Sequence, residues 1–155
     1  MKDDLRSVTS ASLHDYFKVS RSTLEGILQR PESYYRSFTI EENGKVRTIY
    51  PPISPLKRIQ RIFLKGLYRF VHWPSYLHGG IPARSIITHA KTHLGQHLVV
   101  TYDVSNFFPT TTPSMVHACF ASLGFDSVMA DTLTRLVTYK NALPQGAPTS
   151  MDGPG

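Results

Sequence analysis

A short apolar run that ends in a carboxylate limits the folds open to this chain more than any other feature. Residues 98–105 read Leu-Val-Val-Thr-Tyr-Asp-Val-Ser, and the run is apolar before Asp103. A strand of this kind is typical of a sheet that is covered on both faces. The run therefore predicts an interior strand that delivers Asp103 to its end and continues into Phe107 and Phe108.

Two alternating runs beside Asn43-Gly44 predict a β-hairpin. They cover residues 36–42 and 45–50, and Asn-Gly is the strongest short-range hairpin signal in a sequence. Apolar residues at helical spacing, bounded by capping residues and by Pro or Gly, predict helices. These helices cover residues 12–18, Ser22 to before Pro31, Ser54-Pro55 to about 71, 84–94, 112 to about 123 and 126 to about 137. The order of elements predicts an α+β fold.

Cysteine content and hydropathy exclude several classes of protein. The 155 residues include one cysteine, Cys119, so neither an internal disulfide nor a Cys-cluster zinc site can form. Its apolar surroundings favour a buried helix residue over a reactive thiol. No stretch approaches the roughly 18 apolar residues of a membrane span, and residues 1–5 contain no apolar signal region. We expect one domain, or part of a larger one, in the cytoplasm and without a membrane partner.

The charges are unevenly distributed along the chain. The formal net charge is +6, yet no acidic residue lies between Glu42 and Asp103, where nine of the seventeen basic residues stand. The rest of the chain has eight basic and eleven acidic residues, a net charge of −3. A long region of one sign predicts an anionic polymer as partner, and a phosphate backbone fits best. The alternative is a basic surface that serves only solubility.

The helix that opens at Ser54-Pro55 combines two stripes. Its apolar residues recur at helical spacing and predict one buried face. Basic residues at intervals of four lie on a different face, which suits contact with nucleic acid; they are Lys57, Arg61, Lys65 and Arg69. Aromatic rings that interleave with the charges can stack on unpaired bases, with core packing as the alternative for each ring; they are Tyr50, Tyr68, Trp73 and Tyr76.

A second motif begins about forty residues after Asp103. Residues 143–150 read Leu-Pro-Gln-Gly-Ala-Pro-Thr-Ser, a loop whose glycine permits close backbone approach to a ligand. In this order, the segment Asp103-Val-Ser-Asn-Phe-Phe108 and the loop resemble the first two palm motifs of reverse transcriptases, above all bacterial retron and group II intron enzymes. The resemblance implies the fingers and an incomplete palm of a right-hand polymerase. Its expected parts are an N-terminal helical extension (1–33), a fingers-like region (34–96) and a partial palm (97–155) that ends after the Leu-Pro-Gln-Gly motif.

The resemblance implies a nucleotidyl-transfer site around Asp103. That residue matches the first carboxylate that holds Mg²⁺, with Mn²⁺ as an alternative ion, and Val104 would add its backbone carbonyl. Phe108 matches the ring that leaves no room for a ribose 2′-hydroxyl. Gln145 and Gly146 match residues that contact the incoming nucleotide and the template base. The alternative for Asp103 is a strand-end residue that caps a turn with the following Ser and Asn.

The resemblance also implies contacts with phosphates and template. Arg47 on the hairpin matches a residue that grips the triphosphate, because a guanidinium forks onto phosphate oxygens; an ordinary exposed strand arginine is the alternative. The segment from His78 to Ser85, His-Gly-Gly-Ile-Pro-Ala-Arg-Ser, resembles a motif that lies along the template. The expected nucleic-acid contacts are Lys57, Arg58, Arg61, Lys65, Arg84 and Ser85.

Two further patterns concern possible ligands. Pro148 is expected to open a helix whose N-terminus is a natural phosphate site. His89 and His93 have the spacing of a metal-binding pair, but no third ligand with an acid is near in the sequence. We therefore favour a helix surface or a template contact over zinc for these histidines.

The resemblance implies a fragment of an RNA-directed DNA polymerase that copies RNA into DNA by two-metal nucleotidyl transfer. No Tyr-x-Asp-Asp motif follows the loop, and the Gly/Pro tail 151–155 would halt a helix, so Asp152 is not expected to replace the missing ligands. We expect the chain alone to be inactive. The alternatives are a non-catalytic RNA-binding module and one half of a split polymerase. Expected partners are an RNA template, a primer strand, deoxynucleotides and a structured non-coding RNA.

Overall fold

The computed structural model describes residues 5–42 and 44–150. This part of the chain contains seven α-helices, four short 3₁₀ helices and one two-stranded sheet, which confirms the predicted α+β class. The α-helices are α1 (Leu13–Tyr16), α2 (Arg21–Gln29), α3 (Leu56–Phe70), α4 (Ile86–Lys91), α5 (Phe107–Thr110), α6 (Pro113–Ser122) and α7 (Ser127–Val137). The 3₁₀ helices are Leu5–Ser7, Ser10–Ser12, Pro31–Tyr34 and Pro148–Ser150. The predicted tail 151–155, with Asp152, lies outside the described residues.

The predicted hairpin is confirmed. Strand β1 (Phe38–Glu42) pairs antiparallel with β2 (Lys45–Ile49), so that Ile40 stands opposite Arg47. Gly44 has φ +72°, the left-handed conformation that a tight hairpin turn requires. Asn43, the other residue of the predicted turn, lies outside the described residues.

Short polar side chains cap helices α2, α6 and α7. Thr112 accepts a hydrogen bond from the Met115 N–H, and Asp126 accepts one from the Met129 N–H at 2.9 Å, so the predicted starts of α6 and α7 are confirmed. The predicted capping box at Ser22 is wrong by two residues. Ser20 caps α2 instead, because it is the hydroxyl that accepts from the Thr23 N–H.

Two other helix boundaries differ from prediction. Pro55 holds the N-cap position of α3 without a side-chain hydrogen bond, so the predicted cap at Ser54 is wrong. Helix α4 is shorter than the predicted range 84–94. It begins after Ser85, whose side chain accepts the Thr88 N–H, and Arg84 lies in the preceding turn. The side chain of Ser85 thus fixes the start of the helix.

The core forms where α3 packs against α7 and the N-terminal helices. Leu56, Ile59 and Phe63 of α3 are buried, which confirms the predicted apolar stripe. Gln60 is fully buried among them; its Nε2 donates to the Leu136 carbonyl at 2.9 Å and to the Tyr35 hydroxyl at 3.1 Å. The amide therefore ties α3 to α7 with hydrogen bonds that a purely apolar core would lack.

The predicted strand at residues 98–105 is wrong for the described chain. These residues form no regular secondary structure, and Leu98, Val100 and Tyr102 are 79%, 58% and 91% exposed. A strand needs a hydrogen-bonding neighbour, and the only strands among residues 5–42 and 44–150 are the two of the hairpin. The segment thus has the apolar pattern of a buried strand, but within residues 5–42 and 44–150 no strand pairs with it.

Three smaller features complete the fold. Cys119 lies in α6 as predicted but is exposed, because α6 turns Val116 and Phe120 toward the core instead. Tyr76 is 79% exposed, so core packing is wrong for that ring. None of the described helices combines the length and the hydropathy that crossing a membrane would require.

Candidate nucleotide and metal site

The loop that begins at Leu143 packs directly against the end of the hairpin. The Tyr50 N–H, one residue beyond β2, donates to the Gln145 carbonyl at 2.8 Å. Gly146 has φ +88°, and a Cβ at that position would overlap the Ile49 side chain. Only glycine suits both the backbone angle and the close approach. The strand that carries Arg47 and the loop that carries Gln145 and Gly146 are thereby held together.

The loop itself is firmly anchored. Pro144 and Ala147 are fully buried, and the Ser150 hydroxyl donates to the Pro144 carbonyl. Pro148–Ser150 is a single 3₁₀ turn that packs on α3. This turn reaches the last described residue, so the helix N-terminus that was predicted at Pro148 as a phosphate site stays a prediction.

An aromatic cluster borders the loop. Tyr139 stacks on Tyr35 with ring centroids 4.4 Å apart and meets Tyr50 edge-on at 5.4 Å. Lys140 and Asn141 both adopt positive φ in the tight turn that pairs Tyr139 with Ala142. The Lys140 ammonium lies 4.9 Å from the centroid of the Tyr50 ring. Lys140 is therefore a cation beside the loop, and the sequence analysis did not identify it. The Lys-Asn pair just before Ala142-Leu143 could have indicated the turn that places it there.

Asp103 lies in the exposed irregular segment, apart from the packed core. Within the described residues its carboxylate accepts no hydrogen bond from Ser105 or Asn106, so the turn-capping alternative has no support. The segment then enters α5, where Asn106 adopts φ +53°. Phe108 is half-buried and meets Phe107 edge-on at 5.5 Å.

One hydrogen bond connects this segment to the loop. The Leu143 N–H donates to the Thr111 carbonyl at 3.2 Å, immediately after α5. The two motifs are therefore joined through the backbone. The carboxylate and the carbonyl of Asp103 and Val104 are the oxygen donors that Mg²⁺ prefers. However, no three or more His, Cys, Asp or Glu residues cluster in a way that could hold a metal ion in the described chain.

The expected nucleic-acid residues divide into two groups. Lys57, Arg61 and Lys65 are exposed on α3. Arg58 donates to the Lys18 carbonyl at 2.6 Å, and the Arg84 guanidinium donates to the carbonyls of residues 73, 74 and 77. The first group is available to a ligand, whereas both guanidiniums of the second group bind backbone carbonyls, Arg58 that of a residue 40 positions away and Arg84 those of the preceding loop. Ser85 belongs to neither group, because its side chain caps α4.

Three histidines gather beside Arg84. His89 and His93 face each other with their Nε2 atoms 3.2 Å apart, and the His78 ring centroid lies 5.3 Å from that of His89. Desolvation lowers the pKa of His78, and the positive charges of His89, Arg84 and His93 lower it further. The His78 Nδ1 is 3.0 Å from the Thr88 hydroxyl. The surroundings of His78 therefore favour its neutral form.

Comparison with known proteins identifies the family. The chain is 34% identical over 145 residues to the retron Ec86 reverse transcriptase of Escherichia coli, covering 90% of this chain and 45% of the relative. It is 33% identical over 138 residues to the retron Se72 reverse transcriptase of Salmonella heidelberg, covering 87% and 36%. It is 32% identical over 136 residues to the retron Mx65 reverse transcriptase of Myxococcus xanthus, covering 76% and 32%.

Similarity over most of the chain confirms the resemblance to reverse transcriptases. More narrowly, the chain belongs to the retron reverse transcriptase family. It spans less than half the length of these relatives. No protein-family model matches the chain.

Proposed function

We propose that the chain is the nucleotide- and template-binding part of an RNA-directed DNA polymerase. The supporting observation is the hydrogen bond from the Tyr50 N–H to the Gln145 carbonyl, which holds the Arg47 strand against the motif loop. In this proposal residues 34–96 serve as fingers, residues 97–155 as part of a palm, and residues 1–33 as an N-terminal extension. The partners are an RNA template, a primer strand, deoxynucleotides and a structured non-coding RNA.

Each site residue has a proposed task that follows from its chemistry. Arg47 holds the triphosphate by forked hydrogen bonds to phosphate oxygens. Gln145 and Gly146 contact the incoming nucleotide and the template base, and the small glycine lets the backbone come close. Phe108 excludes ribonucleotides because its ring occupies the space of a 2′-hydroxyl. Lys140 adds a positive charge to the same region.

Asp103 and the Val104 carbonyl would hold Mg²⁺, with Mn²⁺ as an alternative. When bound, such ions neutralise the charge that develops on the transferring phosphate. Two ions need more carboxylates than Asp103 supplies, and the described residues bring no further group of metal ligands together. We therefore propose that residues 5–42 and 44–150 bind nucleotide and template but do not complete a catalytic metal site.

Nucleotide binding tests the proposal directly. Titration of the chain with a fluorescent deoxyadenosine triphosphate analogue and Mg²⁺ should give saturable binding. Arg47→Gln should weaken that binding about tenfold or more, because it removes charge-assisted hydrogen bonds. Arg36→Gln is the matched control, since Arg36 is an exposed arginine just before the same hairpin. Equal effects of both substitutions, or no saturable binding, would contradict the assignment of Arg47.

A primer-extension assay tests the expected inactivity. The chain alone, with an RNA template, a DNA primer, Mg²⁺ and deoxynucleotides, should extend no primer above the buffer control. Extension that disappears in Asp103→Ala would overturn this expectation and would require further metal ligands.

A non-catalytic RNA-binding module is the second candidate function. It is favoured by the exposed basic stripe on α3 together with the lack of a clustered metal-ligand group in the described chain. In that case RNA should bind with a steep dependence on salt, while the nucleotide analogue should not bind. For a single strand each phosphate contact contributes a slope of about −0.7, so Lys57→Gln, Arg61→Gln and Lys65→Gln together should flatten the slope by about 2.

A further inference from the structure

A groove lies between the N-terminal segment and the C-terminal half of α3. Its volume is about 580 Å³, the size of a site for a small molecule or a single nucleotide. None of the residues assigned above to metal or nucleotide lines it, and only Lys65 and Arg69 of the basic stripe on α3 do. The groove therefore needs an explanation of its own.

The rim of the groove is cationic. Lys65 and Arg69 stand on successive turns of α3, and Lys18 faces them from the segment after α1. In the described chain the side chains of these three residues take part in no hydrogen bond or ion pair. Among residues 5–42 and 44–150, Asp15 is the one carboxylate that lines the groove, and its side chain is 78% exposed beside His14. Three cations against one carboxylate leave a positive site for an anion.

The floor of the groove is apolar and aromatic. Val8, Tyr16 and Ile62 supply it, and Ser12 adds a hydroxyl group. Gly66 of α3 makes this floor possible, because a Cβ there would overlap the Tyr16 hydroxyl. A cationic rim above an apolar, aromatic floor matches the two halves of a nucleotide, whose phosphate is charged and whose base is flat and weakly polar.

We propose that this groove binds a phosphate-bearing nucleotide unit. The phosphate lies at Lys65 and Arg69, and the base or sugar lies against Tyr16 and Ile62. The unit is supplied either by an RNA strand or by a free mononucleotide, since both present the same chemistry. The inference stands on the groove itself and does not depend on polymerase activity.

The first experiment measures binding of two probes to the full chain. One probe is a short fluorescein-labelled oligouridylate, and the other is uridine monophosphate added as a competitor. Lys65→Gln with Arg69→Gln should flatten the salt slope for the oligouridylate by about 1.4, the value for two phosphate contacts on a single strand. Arg30→Gln with Arg36→Gln is the control. It removes the same charge from two exposed arginines outside the groove, and it should leave the slope unchanged.

Two single substitutions give results that a general charge effect would not. Asp15→Asn should tighten oligouridylate binding, because it removes a carboxylate that lines an anion site. Gly66→Ala should weaken it, because the new methyl group displaces Tyr16 from the floor. Alanine favours a helix more than glycine does, so unchanged helix content by circular dichroism would separate this loss from unfolding.

The outcomes separate the two sources and can overturn the proposal. Competition by uridine monophosphate that is lost in the Lys65/Arg69 variant identifies a free nucleotide as a sufficient ligand. Loss of oligouridylate binding without such competition identifies a nucleotide within a strand. An equal effect of the groove pair and the Arg30/Arg36 pair, or weaker binding by Asp15→Asn, would overturn the groove as a nucleotide site. Neither result bears on nucleotide binding at Arg47, which the triphosphate titration measures separately.

Discussion

Leucine side chains are buried in the helical core but exposed in the Asp103 segment. Leu133 of α7 is fully buried, whereas Leu98 before Asp103 is 79% exposed. Both belong to strongly apolar stretches, so hydrophobicity alone does not decide burial. The difference is that α7 has α2, α3 and α6 as neighbours, whereas the Asp103 segment has no strand beside it in the described chain. An apolar pattern thus predicts burial only where another element packs against it. Of the two regions, the described chain provides such a neighbour for α7 and not for the Asp103 segment.

The same contrast divides the candidate site. The loop with Gln145 and Gly146 is anchored by buried Pro144, by Ala147 and by the hairpin. The segment that carries Asp103 is linked to this loop by the backbone hydrogen bond from the Leu143 N–H to the Thr111 carbonyl. Preorganisation of a site requires that its residues are fixed by packing around them. We infer that the half proposed to contact the nucleotide is preformed, whereas the half proposed to bind metal depends on a further surface that covers residues 98–104.

The largest expected effect comes from deleting the same side chain in the two regions. Leu133→Ala should lower the free energy of unfolding by about 3 kcal/mol, because it leaves a cavity in the core. Leu98→Ala should change it by less than about 0.5 kcal/mol, because an exposed side chain leaves none. Urea denaturation followed by circular dichroism measures both. A similar decrease in the free energy of unfolding for the two variants would show that residues 98–104 are packed in solution. It would contradict the difference in burial between the two regions.

Alkaline pH offers a second probe of the core. Burial is the main cause that raises the pKa of Tyr35 from 10.0 to about 12. The folded chain therefore binds this proton more tightly than the unfolded chain. The resulting stability is fully present below pH 10 and is lost as the pH rises from 10 to about 12. It amounts to at most about 3 kcal/mol, since one pKa unit corresponds to about 1.36 kcal/mol.

The measurement for Tyr35 compares two substitutions. Tyr35→Phe should flatten the fall in unfolding free energy across this alkaline range. Tyr76→Phe should not, because Tyr76 is 79% exposed. A parallel fall in both variants would assign the alkaline loss of stability to other groups.

Local sequence signals predicted much of the core and less of the site. The stripe of α3, the Asn-Gly hairpin and the caps at Thr112 and Asp126 depend on residues close in sequence, and all four hold. Buried Gln60 could not be predicted, because its partners Tyr35 and Leu136 lie 25 and 76 residues away. Periodicity identifies an apolar face but does not specify which polar group satisfies which carbonyl.

The candidate site shows the same limit. The motif predicted that the glycine lets the backbone approach a ligand, and this stays a prediction; the structure shows instead that Gly146 approaches the Ile49 side chain closely. The failed strand at 98–105 has the opposite cause. Its pattern described a buried environment, but burial depends on neighbouring elements rather than on the segment itself. Lys140 was missed because a turn with two positive φ angles places it beside Tyr50. The two residues of that turn are Lys140 and Asn141, so no glycine in the sequence indicated it.

Association should be a smaller effect that arises from the exposed segment alone. Apolar residues with unpaired backbone groups form a template for pairing with another chain. Val100→Lys should therefore reduce self-association by light scattering and reduce binding of a hydrophobic dye. Val128→Lys is the matched control, because Val128 is a valine of α7 with a similar exposed fraction, 63% against 58%. Equal reduction by both substitutions would show that general surface charge, and not the segment, controls association.

The smallest expected effect concerns acid pH and the histidine cluster. Desolvation lowers the pKa of His78 below its ordinary 6.5, with further lowering by His89, Arg84 and His93. The unfolded chain therefore binds this proton more tightly than the folded chain. The contribution of neutral His78 to stability is fully present above pH 6.5 and is lost as the pH falls through the lowered pKa.

The His78→Asn variant lacks this titrating group, so its denaturation midpoint should depend less on pH below 6.5 than that of the parent chain. His97→Asn, a change outside the cluster, should keep the parent's dependence. An unchanged profile for His78→Asn would show that the positive charges around it are separated in solution.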